Sequence, residues 1–159
     1  MRIGSALGLM AAIVITSACA HPATEVPAAM SWAFNHTHAE GLKLVYGQPR
    51  SDNVLVMLSC QPDSGQVEIA VATADGMPGA VALVSRRVRL DLTGASAPTP
   101  VQGVGMVIET TRADTPALDG FARTGDLLVR TSGRRIPASA RGEDQALVSG
   151  FFGQCGRPA

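Results

Sequence analysis

Apolar and polar positions alternate along most of this chain, and the alternation predicts strands far more often than helices. Trp32 and Phe34 share one face of a short strand over 30–35, and Leu42, Leu44 and Tyr46 alternate around Lys43 in a second. The run Val54–Cys60 is apolar nearly throughout, as expected of a strand covered on both faces. Gln61-Pro62-Asp63-Ser64-Gly65 then forms a hairpin loop, with Pro62 presetting its φ and Gly65 free to take a positive one. Val67, Ile69, Val71 and Thr73 alternate with polar or small residues in the next strand. After the turn Asp75–Gly79, an apolar run from Val81 changes parity near Arg86 before Val88, Leu90 and Leu92. A bulge, or two strands joined by a sharp bend, produces such a change. Ala95–Pro100 reads as a loop, and Val104, Met106, Ile108 and Thr110 as another strand.

Helical spacing appears only late. Asp114-Thr115-Pro116 offers a cap and a first-turn proline for a short helix with Leu118, Phe121 and Ala122 on one face, stopped by Gly125. Residues 126–130 and 135–137 read as short strands around Ser132-Gly133, the second ending at Pro137. The last element is the clearest helix. Glu143 and Asp144 suit its start, and Leu147, Phe151 and Cys155 recur at i, i+4 and i+8, flanked by Val148 and Phe152. Gly150 and Gly153 weaken it intrinsically and are expected to allow close approach to a sheet. The pattern thus predicts an α+β, mostly β protein of six to eight strands: an antiparallel sheet or small β-sandwich with a C-terminal helix packed on it.

The first residues follow a different pattern. Arg2 is the only charge before Glu25, and Ala6–Ile15 is apolar and ends in small residues, as in a secretory leader over 1–18. It is too short to span a bilayer, which takes about 20 apolar residues. Thr16-Ser17-Ala18-Cys19 resembles the bacterial lipobox, with Thr16 where Leu is preferred. That resemblance implies acylation of Cys19. No Asp follows the cysteine, which implies an outer-membrane anchor facing the periplasm. Ala18-Cys19-Ala20 also fits an ordinary A-x-A cut, which would release a soluble periplasmic protein. Residues 19–30, with Pro22 and Pro27 and no periodicity, suit a tether to a single β-rich domain over 31–157.

Composition narrows the function classes. Thirteen basic against thirteen acidic residues in 159 provide no basis for nucleic-acid binding. Aromatic residues are few, so the core is expected to rest on Val, Leu, Ile, Met and Ala. With Cys19 set aside as the candidate acylation site, Cys60 and Cys155 remain as a pair. An oxidising envelope favours a disulfide between them, closing a loop of about 95 residues. No C-x-x-C accompanies them, so a redox role is not indicated.

Candidate chemistry is sparse. His36 and His38 alternate in the segment His36-Thr37-His38, with Glu40 nearby, and form a weak candidate metal site without a third ligand at a persuasive spacing; a polar hairpin loop explains the same residues. Arg86, Arg87 and Arg89 form one basic cluster and Arg130, Arg134, Arg135 and Arg141 another; interspersed acids favour a mixed solvated surface over an anion site. No G-x-S-x-G, S-x-x-K or phosphate-binding glycine loop occurs. No cofactor is indicated.

The segment Gly41-Leu42-Lys43-Leu44-Val45-Tyr46-Gly47-Gln48-Pro49 through Asn53 to Cys60, with the closing Phe151-Phe152-Gly153-Gln154-Cys155, resembles uncharacterised exported proteins of alphaproteobacteria. The pairing of a strand cysteine with a late one is more distantly similar to envelope proteins of the invasion-associated locus B type. The resemblance implies an envelope location and a β-rich fold, and it carries over no catalytic residue. The expectation is a non-enzymatic envelope lipoprotein, a binding or scaffolding module held to the membrane through Cys19 and meeting an envelope protein partner. The alternatives are a small periplasmic hydrolase or metal-dependent enzyme using His36, His38 and Glu40, and an inhibitor of a periplasmic enzyme presenting the loop Ala95–Gly103.

Overall fold

The computed structural model describes residues 29–74, 80–99, 104–132 and 134–156. The leader, Cys19, most of the tether, the 75–79 turn and the distal part of the 95–103 loop lie outside them. Among the described residues ten strands and two helices follow in the order β1 (Ser31–Thr37), β2 (Gly41–Gly47), β3 (Val54–Cys60), β4 (Gln66–Ala74), β5 (Val81–Ser85), β6 (Val88–Leu92), β7 (Ala95–Pro98), β8 (Val104–Arg112), α1 (Pro116–Thr124), β9 (Leu128–Thr131), β10 (Arg134–Pro137) and α2 (Glu143–Cys155). Two antiparallel sheets form, one of six strands ordered β1-β2-β3-β4-β8-β7 and one of four ordered β10-β9-β5-β6. The α+β, mostly β class with a C-terminal helix is therefore the observed one.

The strand count exceeds the expected six to eight, for two reasons. The parity change near Arg86 is a two-residue turn between separate strands, with Ser85 opposite Val88 and Arg86 at φ 56°. The stretch read as a loop from Ala95 contains β7, which pairs with β8 from Ala95↔Ile108 to Pro98↔Gly105. Four small residues carry too little hydrophobic contrast to announce a strand, and only the β8 partner makes them one.

A single core joins both sheets and both helices. Leu42, Leu44, Val56, Leu58, Val67, Ile69 and Val71 line the inner face of the six-stranded sheet, and Val81, Leu83, Leu92 and Val129 that of the smaller one. Helix α2 packs on β1 and β2, α1 on β5 and β6, and the helices touch each other. At this junction all six aromatic residues of the chain form one connected series of ring contacts: Tyr46–Trp32, Trp32–Phe121, Phe121–Phe152, Phe152–Phe151 and Phe151–Phe34. The expectation of a core resting on aliphatic residues is thus corrected at the helix–sheet junction. Scarce aromatics gathered in one place still contribute large buried areas.

Local signals hold the helices where they are. Pro116 opens α1, although Thr115 does not cap it through its side chain; its hydroxyl donates to the Arg112 carbonyl at 2.7 Å. Gly125 closes α1 in the left-handed region at φ 67°, and a β-carbon there would meet the Ala140 carbonyl and the Gln145 side chain. In α2 the buried positions are Val148, Phe151, Phe152 and Cys155, one helical face. Gly150 and Gly153 have open space where a β-carbon would stand, so they do not serve close approach to the sheet.

Cys60 and Cys155 lie at disulfide distance, with Cα atoms 5.9 Å apart and within the usual range. The end of α2 also clasps the β3–β4 loop. The Asp63 amide donates to the Gln154 carbonyl at 2.9 Å and the Gly65 amide to the Cys155 carbonyl at 2.8 Å. Among the described residues no helix is long and apolar enough to cross a membrane.

Candidate functional site

The outer face of the six-stranded sheet is the most distinctive surface of the molecule. Register places Ala33 opposite Val45, Val45 opposite Met57, Met57 opposite Ala70, Ala70 opposite Ile108 and Ile108 opposite Ala95. Directly opposed residues share a face, so these residues form one apolar row across all six strands. A parallel row adds Ala72, Met106 and Ala97. Met57, Val45 and Ile108 are half-buried, Ala33 and Ala95 exposed and Ala70, at the middle of the row, buried beneath its neighbours; none of them joins the cluster that the inner face makes with the helices and the second sheet.

This arrangement corrects the reading of Val54–Cys60 as a strand covered on both faces. Val56, Leu58 and Cys60 are buried on the inner face, whereas Met57 and Ser59 on the other are only partly covered. The apolar run is real, but the described residues supply one covering layer, not two.

A polar row runs beside the apolar one: Asn35 opposite Lys43, Lys43 opposite Ser59, Ser59 opposite Glu68 and Glu68 opposite Thr110. A shallow open depression of about 480 Å³ lies along it, lined by Lys43, Met57, Ser59, Glu68 and Thr110 among others. Its charges are partly committed. Lys43 Nζ lies 2.9 Å from Glu40 Oε1, and Ser59 Oγ donates to Glu68 Oε1 at 3.4 Å. A second depression on the same face, at its β1–β2 side, is lined by Ala33, Val45 and Val54 with Pro49 and Arg50.

The weak metal candidates do not gather. Strand β1 runs through His36 to Thr37, and His38 and Glu40 occupy the turn that follows, all of them exposed. The Glu40 amide donates to the Thr37 hydroxyl oxygen at 3.1 Å, and the Glu40 carboxylate faces Lys43. Among the described residues no three of His, Cys, Asp and Glu come close enough to hold a metal ion together. The loop expected to project from Ala95 is, as far as Pro98, an edge strand of the sheet. Cys19 lies outside the described residues.

No signal within any one strand points to the outer apolar row, because Ala33, Val45, Met57, Ala70, Ile108 and Ala95 come from different segments. Only register aligns them. The one hint in the sequence is the unbroken apolarity of Val54–Cys60, which asks for a second covering layer. In comparisons with protein-family models, curated proteins and solved structures, nothing matches this chain.

Proposed function

We propose that this chain is a non-catalytic binding module of the bacterial envelope, anchored through an acylated Cys19 in the outer membrane and facing the periplasm. In this reading, the outer face of the six-stranded sheet docks a protein partner. The observation that carries the docking role is the apolar row from Ala33 to Ala95, which crosses every strand of that sheet and, although Ala70 at its middle is buried, has no second layer of structure over it among the described residues. Contiguous apolar surface rimmed by polar residues is costly to leave in water and marks interaction sites. The polar row of Lys43, Ser59, Glu68 and Thr110 would form the rim on one side. The Cys60–Cys155 pair supports an oxidising compartment, and the leader with its lipobox-like end supports the anchor.

Site-directed photo-crosslinking in intact cells tests the docking role. A photo-reactive residue at Ile108 is expected to give one discrete protein adduct that disappears in Met57→Lys, while the same probe at Arg123 on α1 gives none. Adducts that survive Met57→Lys in a folded protein overturn the reading. Intact mass of the protein from cells tests the anchor: acyl chains on Cys19 support it, and a chain beginning at His21 refutes it.

A further inference from the structure

The four-stranded sheet turns its own outer face away from the shared core, and that face is basic. Register sets Arg130 directly opposite Arg135, in a row that continues through Ala82 to Asp91. Like charges directly opposed disfavour a sheet. The acids nearest them, Asp91 in the same row and Asp126 in the depression beside Arg86 and Arg87, have other partners. Arg89 binds Asp91, its Nε donating at 2.7 Å, and holds that carboxyl below its ordinary range. Arg141 binds Asp126 at 2.5 Å. Among the described residues Arg86, Arg87, Arg130, Arg134 and Arg135 are exposed and have no carboxylate within ion-pair reach. The solvated mixed surface expected from sequence spacing thus separates into satisfied pairs and a set of free guanidinium groups.

The neighbouring row is different in kind. Arg89, Val84, Leu128 and Pro137 stand opposite one another in turn, so an aliphatic strip lies beside the arginines. Beyond it, the tight β5–β6 turn presents Arg86 and Arg87, whereas Val88, 42% exposed, stands opposite Ser85 and so belongs to the core-facing side with Leu90 and Leu92. Guanidinium groups beside aliphatic side chains suit the interface of an anionic bilayer, where phosphates meet the first methylenes. A nucleic acid or a sulfated glycan would use the charges but would leave the aliphatic strip in water.

We infer that the outer face of the four-stranded sheet is a docking surface for phosphate-bearing anionic lipid headgroups, with Arg130 and Arg135 at its centre, the strip of Val84, Leu128 and Pro137 beside them and the Arg86-Arg87 turn at its margin. This surface is separate from the apolar face proposed to bind protein, and it does not depend on acylation of Cys19.

The test uses the full chain carrying Cys19→Ala, which removes any acyl anchor, and vesicles of phosphatidylcholine alone or of equal parts phosphatidylcholine and phosphatidylglycerol. Binding is expected to be tighter to the anionic vesicles and to be lost at about 1 M salt, where the screening length falls to about 3 Å. At about 1 kcal/mol, or roughly fivefold, for each basic residue near the surface, Arg130→Gln with Arg135→Gln should weaken it on the order of twentyfold to thirtyfold. Arg112→Gln with Arg123→Gln removes as much charge elsewhere and should change it little. Equal binding to both vesicle types, equal loss in the two double variants, or tighter binding to heparin or duplex DNA than to anionic vesicles overturns the inference. Circular dichroism and the intact Cys60–Cys155 bond verify folding of each variant.

Discussion

The indole Nε1 of Trp32 donates to the carbonyl of Ala138 at 2.9 Å, joining the first strand to the segment just before α2. Both residues are buried, and the Trp32 ring packs at 5.2 Å from both Tyr46 and Phe121. Trp32→Phe keeps a ring in place but leaves the Ala138 carbonyl without this donor. The expected cost is about 1–3 kcal/mol, read as a lower urea midpoint with an unchanged m-value. An unchanged midpoint would show that the bond contributes nothing net.

The Cys60–Cys155 bond ties the end of α2 to β3. Cys155→Ala is expected to lower stability by about 2–5 kcal/mol, the usual range for a native disulfide. Because Cys155 is fully buried and its carbonyl accepts from Gly65, loosening should reach the β3–β4 loop. Hydrogen exchange at the Asp63 and Gly65 amides is the direct measurement, and both should exchange faster in the variant.

Gly150 and Gly153 contribute no packing that alanine would disturb. Each changed to Ala is expected to raise the thermal midpoint, with a gain of up to about 1 kcal/mol from helix propensity. Gly125→Ala should do the opposite, since its φ of 67° and the neighbouring Ala140 carbonyl leave no room for a β-carbon. A destabilising result at Gly150 or Gly153 would indicate a partner that fills the open space beside α2.

Burial, and secondarily the nearby Asp144 carboxylate, raise the Tyr46 pKa above its ordinary value. The neutral phenol donates to the Pro137 carbonyl at 3.1 Å. A folded pKa above the unfolded one means that this contribution is complete below about pH 10, the unfolded value, and is lost as pH rises through the folded one. Absorbance titration should show Tyr46 ionising later than free tyrosine. Stability measured by urea should fall across the same alkaline window, and that fall should be smaller in Tyr46→Phe.

Period-two alternation made β2, β4 and β6 legible as strands; in β8 it marked the strand but not its buried face, since Val104, Met106, Ile108 and Thr110 lie on the outer side while Gly105 and Val107 are buried. The face of α2 was legible too, since Val148, Phe151, Phe152 and Cys155 must recur at helical spacing to reach one sheet. The cysteine pair followed from counting. These are local or compositional properties, and the chain carries them whatever surrounds it. Strand β7 was not legible, because its small residues become a strand only beside β8. The gathering of six aromatic rings was not legible either, since they come from β1, β2, α1 and α2. The same holds for both candidate surfaces. Met57 reads as core until the described structure shows no layer over it, and Arg130 reads as an ordinary surface charge until register sets it against Arg135. The sequence by itself determined which residues avoid water, which alternate and which cysteines remain to pair. The tertiary structure alone decided which apolar positions found a cover and which charges found a partner, because both depend on strand register between segments far apart in the chain.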